Sequence, residues 1–128
     1  MITIDEFKKG EISVGEIVAA EIIEGSDKLF KLTVNFGLKQ STDRSPEHSA
    51  EQNVLGEEKD IRTVVSGIRK YFPGPEAIVG VKCAFATNLE PRTLMGLTSE
   101  AMILAVSDEN VFSLLRVADD VPVGLKVK

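Results

Sequence analysis

The sequence predicts an all-β chain folded as a small barrel of five main strands, on three observations. Extended segments rich in Ile and Val recur at short intervals from Ile12 to Leu115, and such spacing with little helix marks a barrel or sandwich. Lys31-Leu32-Thr33-Val34-Asn35-Phe36 alternates polar and apolar side chains without a break, as a strand buried on one face does. Gly, Pro, Ser and Asp cluster between these segments, where a chain must turn. With 128 residues, 43% of them hydrophobic, the chain suits one domain, 1–128, with its own core.

In order, Thr3-Ile4-Asp5-Glu6 has the form of a capping box opening a short helix that stops near Gly10. Ile12 to Ile23 alternates imperfectly around Gly15, as a long, bent or bulged strand does. Gly25-Ser26-Asp27 is a turn, and residues 31–36 form the second strand. Residues 38–60 contain few apolar groups and are expected to form an exposed acidic insertion. Ile61 to Ser66 and Lys82 to Thr87 are the third and fourth strands, separated by a short helix at Pro75–Gly80. Asn88 to Gly96 is a loop. Thr98 to Val106 and Val111 to Leu115 form a hairpin about Ser107–Asn110, and a β extension with Pro122 and Gly124 follows. A helix between strands three and four suits a five-stranded Greek-key OB-fold, whose binding loops join strands one to two and four to five. Here those loops are Glu24–Phe30 and Asn88–Leu97.

Composition narrows the function. The net charge of −5 is awkward for a nucleic-acid binder, but residues 39–60 carry six acids against three bases, leaving only −2 for the rest. What counts is where the cations sit. His48 is the sole histidine and Cys83 the sole cysteine, so a His-based triad, an internal disulfide and a Cys-rich zinc site are disfavoured. No phosphate loop is present. No cofactor, no metal and no catalytic residue is therefore assigned. Residues 1–10 are too charged for a signal peptide and no run is long enough for a membrane helix, so a reduced, cytoplasmic protein is expected.

Particular residues then carry a resemblance. Val14-Gly15-Glu16-Ile17 and Ser26-Asp27-Lys28-Leu29-Phe30-Lys31-Leu32 resemble the opening of the tRNA-binding domain family, and Thr63-Val64-Val65-Ser66-Gly67-Ile68 its third strand. Asn88-Leu89-Glu90-Pro91-Arg92-Thr93-Leu94-Met95-Gly96, followed by Ser99-Glu100-Ala101-Met102, resembles its most diagnostic stretch. The likeness covers nearly the whole chain outside 38–60. It departs at Asn35, where aspartate is common, at Ala101, where glycine is common, and in the length of the insertion. The family includes the C-terminal domain of methionyl-tRNA synthetases, their detached beta subunits, structure-specific tRNA-binding proteins and CsaA-like chaperones. The resemblance implies an OB-fold homodimer that holds tRNA by shape without chemistry, packed through its N-terminal helix and C-terminal extension, and working beside an aminoacyl-tRNA synthetase.

On that frame Lys28 and Arg92 crown one groove from its two loops, while Lys31 and Arg62 project from the polar face of strands two and three. Such cations pair with phosphates, and arginine also stacks on unpaired bases. Asn88 either reads a base edge or 2′-hydroxyl or holds its own loop. Ser66 either touches a phosphate or caps its strand; Ser99 opens strand five beside Met102, which is assigned to the core. Phe30 is the one candidate stacking platform, Phe36, Phe85 and Phe112 belonging to the core. With so few aromatics, recognition of a folded RNA's shape fits better than multi-base stacking. The alternatives are a CsaA-like chaperone that binds unfolded polypeptides in the same groove and a docking module using the insertion as its arm.

Overall fold

The protein is described by a computed structural model that covers residues 1–38 and 59–127. Its strands are β1 (Ile12–Ile22), β2 (Phe30–Leu38), β3 (Lys59–Ser66), β4 (Lys82–Ala86), β5 (Arg92–Leu94), β6 (Leu97–Ser99), β7 (Met102–Ile103), β8 (Ala105–Ser107) and β9 (Phe112–Leu114). The helix α1 (Ile4–Phe7) is closed by the predicted box: Thr3 Oγ1 accepts the Glu6 N–H at 3.1 Å, and the Glu6 carboxylate accepts the Thr3 N–H at 3.4 Å.

One antiparallel sheet runs in the order β3-β2-β1-β4-β7. The first half of β1, Ile12 to Glu16, pairs with β4, and the second half, Glu16 to Ile22, pairs with β2. The register slips between Ile17 and Ala19, a bulge that supplies the bend predicted for this strand. Gly15 permits the close approach beneath it, since a Cβ there would lie 2.7 Å from the side chains of Phe36 and Val34. The segment from Leu97 to Ile103 then bridges the sheet's two edges. At one end the Glu100 N–H donates to the Thr63 carbonyl at 2.8 Å and the Val65 N–H to Ser99 Oγ at 2.9 Å. At the other, Ile103 and Met102 pair with Phe85 and Ala86. The curled antiparallel sheet is thereby joined edge to edge, in keeping with the expected OB-fold.

Inward positions alternate as β geometry requires. Phe30, Leu32 and Val34 from β2 are fully buried, with Ile17, Val64 and Phe85 from the neighbouring strands. Each such side chain contributes about 1.5–3 kcal/mol by leaving water. Phe36 and Phe85 meet edge to face at 5.2 Å. The helix expected between β3 and β4 is two short 3-10 turns, Arg69–Tyr71 and Pro75–Ile78, the second placing Ile78 in the core.

Residues 123–127 continue the sheet beyond β2. Gly124 donates its N–H to the Val14 carbonyl at 2.7 Å, Val14 to Leu125 at 2.9 Å and Val127 to Ile12 at 2.8 Å. Gly124 has a φ of 89° and a Cβ there would lie 2.6 Å from the Phe36 carbonyl oxygen, so glycine is required on both counts.

Two expectations change. The loop 88–96 contains β5, which forms a hairpin with β6 about Met95-Gly96. Of the acidic insertion, Leu38, Lys59 and Asp60 belong to β2 and β3; its remainder, including His48, lies outside the described residues.

Candidate nucleic-acid interface

The loop after β1 is fixed from two sides. Ser26 Oγ accepts the N–H groups of Lys28 at 3.3 Å and Leu29 at 3.1 Å, a hydroxyl-braced turn. Across from it, Arg69 donates its N–H to the Lys28 carbonyl at 3.1 Å and its guanidinium to the Ser26 carbonyl. The backbone of Lys28 is held while its side chain stays exposed.

The β5–β6 hairpin turns through Met95 (φ 51°) and Gly96 (φ 76°), the sign pattern of a type I′ turn. Arg92, exposed, pairs with Ser99 at its base. The loop and the hairpin tip meet: a Cβ on Gly25 would touch Met95 Cε at 3.7 Å. Lys28 and Arg92 thus belong to neighbouring loops at one end of the barrel. Lys31 lies on β2 opposite Glu21 and Val65, and Val65 is bonded to Ser99, which pairs with Arg92. Lys31 is thus linked to Arg92 through β3 and β6. Among the described residues, none of these three cations has an ion-pair or hydrogen-bond partner for its side chain.

Other assignments are corrected. Arg62 pairs with Val34 and Lys31 with Val65, and directly opposed residues share a face. Val34 is a core residue, so Arg62 projects inward, opposite to Lys31. Its guanidinium donates to both Asp60 carboxylate oxygens at 3.0 and 3.1 Å, to the Thr87 carbonyl at 2.9 Å and to the Glu100 carbonyl at 3.3 Å. It also lies 5.2 Å from the Phe36 ring centre. Four of the five donors of this group are used, so Arg62 closes one end of the barrel and is not an available phosphate ligand. Phe30 is not a platform either: in phase with Leu32 and Val34, it is fully buried, leaving no ring face for a base.

Ser99 is buried; its hydroxyl accepts from Val65 and donates to the Ala101 carbonyl at 3.1 Å, which is barrel closure. Asn88 donates its amide to the Lys9 carbonyl at 2.7 Å and so ties its loop to the segment after α1. Ser66 ends β3, half-buried opposite Phe30. Met102, expected in the core, is exposed, while Ile103 beside it is buried.

Arg69 and Lys70 escaped the sequence reading. The available signal was a basic pair following Gly67-Ile68, but only the fold shows that this turn abuts the Lys28 loop.

Away from this end, Glu11 accepts from Thr87 Oγ1 at 2.6 Å and pairs with Lys126 at 3.1 Å. The Thr87 hydrogen bond, reinforced by Lys126, holds the Glu11 carboxyl below its ordinary value of 4.5. Burial pushes the Cys83 thiol up to about 11, so it stays protonated and unreactive. Among the described residues no group of three or more His, Cys, Asp or Glu could hold a metal ion, and no helix is long and apolar enough to cross a membrane.

Comparison with known proteins places this geometry. The family description "Putative tRNA binding domain" matches residues 50–126. Over 126 residues the chain is 37% identical to a methionine–tRNA ligase of Caldanaerobacter subterraneus, and over 129 residues 39% identical to that of Deinococcus radiodurans. It covers 98% and 100% of itself in these matches, yet spans only 16% of either ligase. Among solved structures, a MetRS-related protein from Pyrococcus horikoshii superimposes with a TM-score of 0.78 at 32% identity, covering 100% of this chain and 98% of that one. The chaperone CsaA of Bacillus anthracis superimposes at 0.74 with 20% identity, covering 100% and 99%, a likeness of fold.

Proposed function

The chain belongs to the tRNA-binding domain family, and from that premise we propose that it binds tRNA without catalysis, through the groove between residues 23–29 and the β5–β6 hairpin. The observation that carries the proposal is the meeting of these loops. It brings two exposed cations, Lys28 and Arg92, to one end of the barrel, with Lys31 on the adjoining strand face. Cations without internal partners can displace counterions from phosphates, whereas bonded ones such as Arg62 cannot do so cheaply. The domain would raise the local concentration of tRNA for an aminoacyl-tRNA synthetase, as a beta-subunit-like protein or other trans-acting factor in the cytoplasm, without altering the chemical step.

A homodimer is part of the proposal. Ile4 and Phe7 of α1, with Ile2 before it, are exposed, and so are Val106, Val111 and Leu115 around the β8–β9 hairpin. These exposed apolar groups lie on the N-terminal helix and near the C-terminal extension, the segments the resemblance assigns to dimer packing, and sedimentation equilibrium would report the dimer.

Titration of bulk tRNA at several salt concentrations tests the central claim. Affinity should fall steeply with salt, and Lys28→Ala and Arg92→Ala should each reduce the slope by about one. Loss of neither slope nor affinity in the double variant would remove the site. Exposed Ile22, next to residues 23–29, supports the second reading, a groove for unfolded polypeptide. A peptide that excess tRNA fails to displace would favour it.

A further inference from the structure

Met95 is, among the described residues, the one non-glycine residue with a positive φ. Left-handed backbone disfavours a side chain with a Cβ, and a type I′ turn ordinarily takes Asn or Gly at that position. A long apolar side chain is kept there nonetheless, and it is 55% exposed. Its core-facing neighbours cannot explain the choice, since the hairpin strands pair through Leu94 and Leu97 behind it. The Met95 methyl instead reaches toward Gly25, in the loop that carries Lys28. The apolar tip of the hairpin that carries Arg92, three residues before it, therefore meets the loop that carries Lys28.

We propose that Met95 is a nucleobase contact: its thioether packs on the face of an unpaired base of the bound RNA while the flanking cations hold the adjacent phosphates. This deepens the tRNA reading given above and rests on it. A polarisable, unbranched side chain suits an aromatic ring face. The alternation of apolar tip and flanking positive charge matches the alternation of base and phosphate along an unpaired strand. Phe30, the aromatic nearest in sequence to this groove, is sequestered in the core, whereas Met95 is an exposed apolar group where the loops meet.

The test uses the full chain and Met95→Asn, because asparagine tolerates left-handed backbone and removes the thioether without straining the turn. Affinity for bulk tRNA should fall about fivefold with the salt slope unchanged, while the melting temperature holds or rises. Affinity for a blunt-ended RNA duplex, which offers no unpaired base, should be unaltered. Met95→Leu, which keeps an apolar tip, should retain most of the binding. Unchanged tRNA affinity in Met95→Asn overturns the inference, as does an equal loss on duplex and tRNA. If the unmodified protein binds tRNA with a salt dependence that Lys28→Ala and Arg92→Ala diminish, such a result leaves the broader reading standing. If the unmodified protein does not bind tRNA, both fall.

Discussion

Two groups of cations divide the molecule. At one end Lys28, Lys31 and Arg92 have no side-chain partners among the described residues. Elsewhere Arg62, Lys82 and Lys126 are bound internally: Arg62 to Asp60 and two carbonyls, Lys82 to the carbonyls of Asp119 and Val121 at 2.8 Å each, Lys126 to Glu11 and Ser13 at 3.1 Å each. Residue type is the same in both groups, and number of partners is what differs. A charge already desolvated and paired holds strands together; one left in water can exchange its counterions for a phosphate.

The contrast can be broken most severely at Arg62. Its removal orphans the Thr87 and Glu100 carbonyls and the Asp60 carboxylate, and Arg62→Ala should cost about 2–3 kcal/mol of stability in urea titration. The salt slope of any residual tRNA binding should be unchanged, opposite to the behaviour of Lys28→Ala. Arg69 sharpens the division, because it lies at the same end as Lys28 but binds that loop, its backbone N–H to the Lys28 carbonyl and its guanidinium to the Ser26 carbonyl. Arg69→Gln should weaken tRNA binding by about threefold through a looser Lys28 loop, with faster amide exchange at Leu29 and no change in salt slope. Glu11 supplies the smallest effect. Its carboxyl titrates lower folded than unfolded, so its contribution is fully present above the ordinary value of 4.5 and is lost as pH falls below that value through the depressed one. Glu11→Gln should flatten that acid limb of the stability profile, and an unaltered limb would show that the Thr87 hydrogen bond and Lys126 do not stabilise this carboxylate.

Much of this was legible in the chain, for reasons that differ by element. The alternation through Lys31–Phe36 predicted β2, and the same phase extended one step back would have placed Phe30 inside, against its assignment as a platform. The capping box was local and complete. Arg62 was misplaced because a strand's inner face is set by its partner's register, and nothing within Ile61–Ser66 states which parity meets Leu32. The β5–β6 hairpin was hidden because a methionine occupies a turn position whose usual marks are Asn and Gly. The meeting of Gly25 with Met95 and the bracing of Lys28 by Arg69 are tertiary facts that only folding creates.

Residues 124–127 have a consequence for the protein's behaviour at high concentration. They hydrogen-bond along the part of β1 that β2 does not reach, and an uncovered strand border there would be a template for another chain. Covering it with the protein's own backbone is a safeguard against fibrous association. Variants that loosen Gly124 should therefore lose solubility before they lose the barrel.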